Sequence, residues 1–437
     1  MDFLKTDIKK LYFKYLIPSI LSASVTSIYF IVDAIAVGQY EGAVGSAALA
    51  VTSPTYGVMA FLSILCGIGG SVMMSTAKGE GEEEKANSCF TAACILMAVL
   101  TVIIWGVFNG FREQIFTLFG ANAEVMPKTI EYGKWIIWFA PVFIFSTFMG
   151  AFIRNDGAPN LAMMAVLVGG SLNILGDWLL VFPLNMGMTG AAIASVAGTS
   201  VQAAIMASHF MRKSCGLQFV MPRDCLRYII KILEVGLGAS AVDLSSVTIG
   251  MMMNNQILRY GTTTELAIFG VMATLMALFQ ALFSGVGQAI QPIVSTNFGA
   301  GENIRIKKIW KYSITTVLIM GFVFTIIGEL APTAVTKFFM DATPEVLAAS
   351  PGIFRLFFPM FLFLGITILT DYYLQSVMQV RASMCVGLGH SVVVSGLAVF
   401  ILPAMVGSAG IWLALPLSEL VVGTLGLAFV FLSMRKA

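Results

Sequence analysis

Apolar runs of about twenty or more residues follow one another along nearly the whole chain, interrupted by short clusters of charge or of Gly, Pro and Asn. A helix crossing a bilayer needs about 20 mostly apolar residues, so the pattern predicts repeated membrane crossing. Of the 437 residues, 58% are hydrophobic and 11% charged, whereas soluble domains carry roughly 25% charge. That excludes an ordinary soluble enzyme. A secretory leader, one apolar run of about 7–15 residues, does not account for runs that continue into the last ten residues. A transmembrane β-barrel would alternate in segments of about ten residues, and Ile95 to Val107 does not alternate.

Cutting at the interruptions gives twelve spans: 11–37, 46–73, 86–108, 128–152, 160–183, 189–211, 229–256, 265–296, 309–333, 350–376, 382–405 and 409–433. Positive charge in short loops marks the cytoplasmic side. With the N-terminus inside, 19 of the 25 Lys and Arg residues fall inside, leaving Arg112, Lys128, Lys134, Arg259, Lys337 and Arg355 outside. Both termini are therefore expected in the cytoplasm. The net charge of +2 gives no reason to expect nucleic acid as a partner.

The chain also echoes itself at half its length. Gly67-Ile-Gly69, Ser75-Thr76 and Gly79-Glu80-Gly81-Glu82 return as Gly285-Val-Gly287, Ser295-Thr296 and Gly299-Ala300-Gly301-Glu302. Pro141-Val-Phe-Ile-Phe145 returns as Pro359-Met-Phe-Leu-Phe363, and Met188-Thr-Gly190-Ala as Ser408-Ala-Gly410-Ile. The fold class expected is an all-α polytopic membrane protein, with twelve helices in two pseudo-symmetric six-helix lobes, 1–212 and 229–437, joined by a cytoplasmic linker at 213–228. Repeats of this parallel kind build several transporter folds, with substrate between the halves.

Acids at membrane depth are costly and usually functional. At about 1.5 Å per residue, Asp33 lies four residues below the outer end of the first span and Asp177 six below that of the fifth. Ser195 lies about six residues below the outer start of the sixth, and Asn173 is one turn from Asp177. These four form a hard-oxygen cluster suited to a small cation such as Na+ or to a shared proton, since desolvation and like-charge repulsion favour protonation of such a pair near neutral pH. The bland alternative is hydrogen bonding between helices. In the second half the counterpart of Asp33 is Met253 or Asn254, so no carboxylate repeats the site. Asp243 and Glu419 lie near mid-membrane, where a cationic substrate would meet them, with Gln280, Gln288 and Asn254 as further polar candidates for a substrate cleft. Asp371, near Arg381, reads as interfacial. Pro18, 15 residues before Asp33, removes a backbone hydrogen bond and permits a bend in the first helix. Met251 to Met253 and the Met272/Met276 pair suit a plastic pocket, though lipid contact or core packing explains any one of them as well.

No GxxxxGK[ST] phosphate loop occurs, so no built-in ATPase is expected. The six cysteines form no CxxC pair and read as packing residues. Neither His209 nor His390 has an evident serine partner for an intramembrane protease, and Leu175-Gly176-Asp177 matches the Gly-Asp element of aspartyl proteases over three residues only. A non-enzymatic, ion-driven transporter is the leading class.

At this point the residues carry a resemblance. Ile17-Pro18-Ser19-Ile20 through Ile31-Val32-Asp33 to Val37-Gly38 resembles the first helix of multidrug and toxic compound extrusion (MATE) transporters. Arg154-Asn155-Asp156-Gly157-Ala158-Pro159, Asn173-Ile-Leu-Gly-Asp177 and Gly190-Ala-Ala-Ile-Ala-Ser195 resemble that family's helices 4 to 6. Gln288-Ala-Ile-Gln291-Pro292-Ile with Asn297-Phe-Gly-Ala-Gly301 resembles its helix 8, particularly in the MepA-like bacterial branch. The resemblance covers essentially the whole chain. It implies an antiporter in a bacterial inner membrane that expels organic cations or amphipathic drugs in exchange for H+ or Na+, with no cofactor beyond the coupling ion, working as a monomer among membrane lipids. The family's first-lobe cation site falls on Asp33, Asn173, Asp177 and Ser195. Two positions depart: Ser195 where Thr is frequent, and His390 where many members carry Arg. Asp243 and Asp371 match poorly the second-lobe carboxylate site that some members bear. The alternative within the superfamily is a flippase for a lipid-linked or amphipathic metabolite. Such flippases often carry cationic residues in the cleft, whereas the mid-membrane charges here are acidic.

Overall fold

The computed structural model describes residues 3–340 and 343–436, except for the side chains at 241–248, 391–392 and 436. Among the described residues every regular element is helical. They run α1 (Ile8–Gly79), α2 (Glu83–Gly110), α3 (Arg112–Leu118), α4 (Met126–Trp138), α5 (Ala140–Asn155), α6 (Pro159–Gly176) and α7 (Gly187–Ala207). The second half runs α8 (Cys225–Tyr260), α9 (Thr263–Gly299), α10 (Asn303–Leu330), α11 (Pro332–Phe339), α12 (Pro344–Phe357), α13 (Met360–Ser376), α14 (Val380–Leu388), α15 (Val394–Val406) and α16 (Ser408–Lys436). Two wide π-turns interrupt this series, Asp177–Val181 after α6 and Gly389–Val393 between α14 and α15.

Seven of the described helices are long and apolar enough to cross a bilayer, or nine spans if each bent pair is one. The sequence segmentation into twelve differs from this at three places. First, α1 covers two expected spans, and where a loop is expected at 38–45 it has a single break at Gly42 (φ 66°, ψ −147°). That conformation is open to glycine and closed to most residues, and a Cβ there would meet nothing within 4 Å, so the demand is conformational. Second, α8 includes side chains outside the described residues. Third, the π-turn Gly389–Val393 cuts the 382–405 segment into two short helices.

The repeat is visible in the bends. α4 and α5 meet at 53°, and α12 and α13 at 42°. Both breaks fall at the echoed Pro-x-Phe-x-Phe motif, where Pro141 and Pro359 lack the amide proton that would continue the helix. Large apolar side chains such as Val99, Val102 and Ile103 on α2, and Ile319, Phe322 and Val323 on α10, are exposed. Stripes of this kind are costly in water and suited to acyl chains.

The chain divides into two compact units, Ile17–Gly236 and Leu237–Ala437, the second including Asp2–Leu16. The boundary at the N-terminus differs from the expected lobe 1–212 for a local reason: the first turns are fastened to α10. Tyr12 donates to Thr316 at 2.7 Å and stacks on Tyr312, and Arg305 donates to the carbonyls of Phe3 and Thr6 at 2.8 and 2.7 Å. The linker is likewise docked within the first unit. Gln218 N–H donates to Asn87, Val220 N–H to Thr91 and Gly216 N–H to Asp156, so it is no free tether.

Candidate functional site

The four polar residues grouped from the first half of the sequence gather in the first unit. Asp33 (α1), Asn173 (α6), Asp177 (first turn after α6) and Ser195 (α7) are all buried, Asp177 completely. Asn173 Nδ2 donates to Ser195 Oγ at 3.1 Å, and the two carboxylates are close enough to feel each other's charge.

Two tyrosines complete the group. Tyr132 of α4 donates to Asp33 Oδ2 at 3.0 Å, its hydroxyl lies 3.1 Å from that of Tyr56, and Tyr56 in turn meets Ser195. Each hydroxyl has one proton to give. Tyr132 spends its proton on Asp33, so Tyr56 donates to Tyr132, while Ser195, beside Tyr56, accepts from Asn173. The result is an ordered relay, Tyr56 to Tyr132 to Asp33, beside the Asn173–Ser195 pair that joins α6 to α7.

Against this ordered relay stand four acceptors with nothing to accept. Asp33 Oδ1, Asn173 Oδ1 and both oxygens of Asp177 are buried with no hydrogen-bond partner among the described residues. A buried carboxylate without a donor is strongly disfavoured in its ionised form. An oxygen-only donor set of this kind is completed by a proton or by a hard monovalent cation, so the residues present fit either.

Helix packing explains why the residues meet. Gly169 of α6 faces Gly198 of α7, where a Cβ would come within 2.5–2.6 Å of the opposite glycine's carbonyl oxygen. Paired small residues let membrane helices approach closely, and Asn173 and Ser195 lie one turn on from that contact. Gly198→Leu is expected to force the helices apart and lower stability by about 1–3 kcal/mol, measured as apparent unfolding temperature; an unchanged value would rule out the close contact. The π-turn opened by Asp177 adds a residue to the local turn, a feature frequent at functional sites.

The remaining candidates scatter. Asp243 lies among the side chains outside the described residues. Asn254 is exposed on α8 and Gln288 half-buried on α9. Gln280 and Glu419 line one cavity of the second unit. α1 passes through Pro18 in helical conformation, with Ser22 donating to the Pro18 carbonyl at 2.8 Å. One expectation needs correction. Asp371 is not interfacial: it is buried and accepts from Ser383 at 2.6 Å and Gln375 at 2.7 Å. Each histidine faces a carboxylate rather than a serine: His209 lies 2.8 Å from Asp156 and His390 2.5 Å from Glu419. The acids lie 53 and 29 residues away along the chain, too far for helical spacing to reveal. Gln291 is a further residue not singled out as a site: fully buried on α9, with both amide atoms lacking a partner among the described residues.

An all-helical membrane body with a repeated half, holding buried acids and unpaired acceptors in one unit, defines a multi-pass membrane transporter. The chain belongs to the MatE family, whose model matches twice, at residues 18–179 and 239–401, so the internal repeat is a family feature. It is 25% identical to the multidrug export protein MepA of Staphylococcus saprophyticus, over 98% of this chain and 95% of that one. The identity to MepA of Staphylococcus aureus is 23%, with the same coverage. Among solved structures it is similar to an outward-facing multidrug resistance MATE family transporter of the MOP superfamily (TM-score 0.91, 21% identity, covering 99% of this chain and 97% of that one). It is also similar to a MATE crystallised in complex with MaL6 (TM-score 0.92, 20% identity, covering 99% and 98%). At these identities the solved structures establish the fold.

Proposed function

We propose that the protein is a cation-coupled antiporter that exports organic cations and amphipathic drugs in exchange for H+ or Na+ by alternating access. The observation that carries this is the set of four buried, donorless oxygens on Asp33, Asn173 and Asp177; the multidrug-export names of its relatives supply the substrate class. In the outward-open state Asp33 and Asp177 take up the coupling ion. Neutralisation removes their mutual repulsion and lets α1, which carries Asp33 and ends its first helix at Gly42, change its packing. Substrate leaves as the ion enters. The transporter works as a monomer with both termini in the cytoplasm, and needs no cofactor besides the ion.

The test is efflux of a cationic dye from vesicles, with the H+ gradient collapsed and the Na+ gradient kept, and then the reverse. Efflux stops when the coupling gradient is removed and persists when the other is. Undiminished efflux with both gradients collapsed would refute ion coupling.

A further inference from the structure

The second unit holds a buried carboxylate that its neighbours leave half satisfied. Glu419 of α16 is 2% exposed. Its Oε1 lies 2.5 Å from His390 Nδ1, whereas Oε2 is buried with no hydrogen-bond partner among the described residues. His390 sits in the π-turn Gly389–Val393, and its carbonyl accepts from the Ser395 hydroxyl at 2.5 Å, so the backbone fixes its place. Both side chains line a cavity of about 270 Å³, together with Gln280, Phe269, Met276 and Met360. Among the described residues none of those lining it is Lys or Arg.

We infer that this cavity is a binding subsite for a compact protonated amine, whose N–H donates to Glu419 Oε2 while its apolar part lies against Phe269, Met276 and Met360. Three observations select this ligand. The open oxygen belongs to a carboxylate whose other oxygen already faces His390 Nδ1 at 2.5 Å, so the missing partner is a donor, and a cationic donor makes the stronger bond. The volume falls just below the roughly 300–1,000 Å³ of drug-sized sites, which fits a single ring with an amine, or one arm of a larger drug. The thioethers of Met276 and Met360 adapt to varied apolar shapes and contact aromatic rings favourably. A quaternary ammonium of similar size has no N–H and leaves Oε2 without a donor, so the site discriminates against it.

The subsite shares no residue with the Asp33–Asp177 cluster. It rests on the proposed export of organic cations only for its physiological use, because binding is read directly and a failure of either proposal is visible separately. The experiment is calorimetric titration of the purified full-length protein in nanodiscs with benzylammonium and with benzyltrimethylammonium. Benzylammonium is expected to bind saturably and about tenfold more tightly than its quaternary analogue, the worth of one hydrogen bond to a charged group. Glu419→Gln is expected to weaken benzylammonium binding by about tenfold or more. Gly250→Leu serves as a second variant that keeps every charge: Gly250 lines the cavity and a Cβ there meets nothing within 4 Å among the described residues, so the new side chain occupies the ligand's space. It replaces a helical glycine by a better helix former and is expected to abolish binding. If Glu419→Gln does not yield monodisperse protein, Gly250→Leu and the ligand pair decide alone. Equal affinity for the two ligands, or unchanged binding in Gly250→Leu, would overturn the inference.

Discussion

Asp177→Asn is expected to reduce gradient-driven efflux of a cationic dye to the level of cells lacking the transporter, while the protein reaches the membrane in normal amount. Both Asp177 oxygens are buried without a donor, so the carboxylate contributes no hydrogen bond that the amide would lose. Removing a buried unpaired charge relieves a desolvation cost, and the unfolding temperature is expected to equal or exceed that of the unaltered protein. What the amide cannot do is take up a proton or meet a cation with a full negative charge. Asp33→Asn is expected to abolish efflux equally, since its remaining carbonyl oxygen can still accept from Tyr132 but the charge is gone. The two variants share a second signature. Uphill efflux fails, whereas exchange of dye for dye across vesicles at equal concentration persists, because that exchange needs alternation but no ion gradient. Efflux at the normal rate in both variants would remove the cluster from the coupling mechanism.

Position along each helix is the part of the site that the sequence makes legible, because charge inside an apolar run stands out. Rise per residue assigns a side chain a position along its helix, which is how Asp33, Asp177, Asn173 and Ser195 come to be grouped from the sequence. It says nothing about rotation around each helix, and the structure supplies that through the Gly169–Gly198 approach that turns Asn173 toward Ser195. Tyr132 was legible in principle, four residues inside its span as Asp33 is, whereas Tyr56 falls about 9 Å deeper by the same rise per residue. A tyrosine in an apolar run reads as packing or as an interfacial anchor, however, and only contact with Asp33 gives its hydroxyl a role. The partners of His209 and His390 were not legible, because each acid comes from a different helix. Repetition served the fold better than the site. It located the two bends at the Pro-x-Phe-x-Phe motifs, whereas the polar clusters differ between halves, with two acids in one and a Glu–His pair in the other. The N-terminal turns show the same limit: nothing in Phe3 or Tyr12 announces that Arg305 and Thr316 will hold them.

Asp156→Ala is expected to lower the apparent unfolding temperature more than any substitution at the Asp33–Asp177 cluster, because Asp156 does the opposite job. Its side chain is nearly fully buried and accepts from Lys78 Nζ at 2.5 Å, His209 at 2.8 Å and the Gly216 amide at 2.8 Å. One carboxylate thus ties the end of α1, the turn after α7 and the linker together. Breaking a buried pair from one side costs about 3–5 kcal/mol. The lower end applies here, since Lys78 is 26% exposed. The buried His209 is also left without its acceptor. Burial alone would raise the Asp156 carboxyl, but the His209 bond, the charge and hydrogen bond of Lys78 and the Gly216 amide outweigh it and hold the group below its ordinary value. A depressed folded-state pKa means that the stabilisation is fully present above the unfolded carboxylate value of about 3.9 and is lost as pH falls through the lower, folded value. Unfolding temperature against pH should therefore drop more steeply below about pH 4 in the unaltered protein than in Asp156→Ala, the two curves converging in acid. Asp156→Asn, which keeps one acceptor oxygen, should fall between them. Lys78→Ala should cost little more in the Asp156→Ala background than that variant alone, since the pair acts as a unit. Proteolytic cleavage between residues 213 and 224 reports the same loss at the linker, and should be faster in Asp156→Ala at neutral pH. An unfolding temperature that stays put on Asp156→Ala, with the linker equally protected, would show that these three bonds hold nothing.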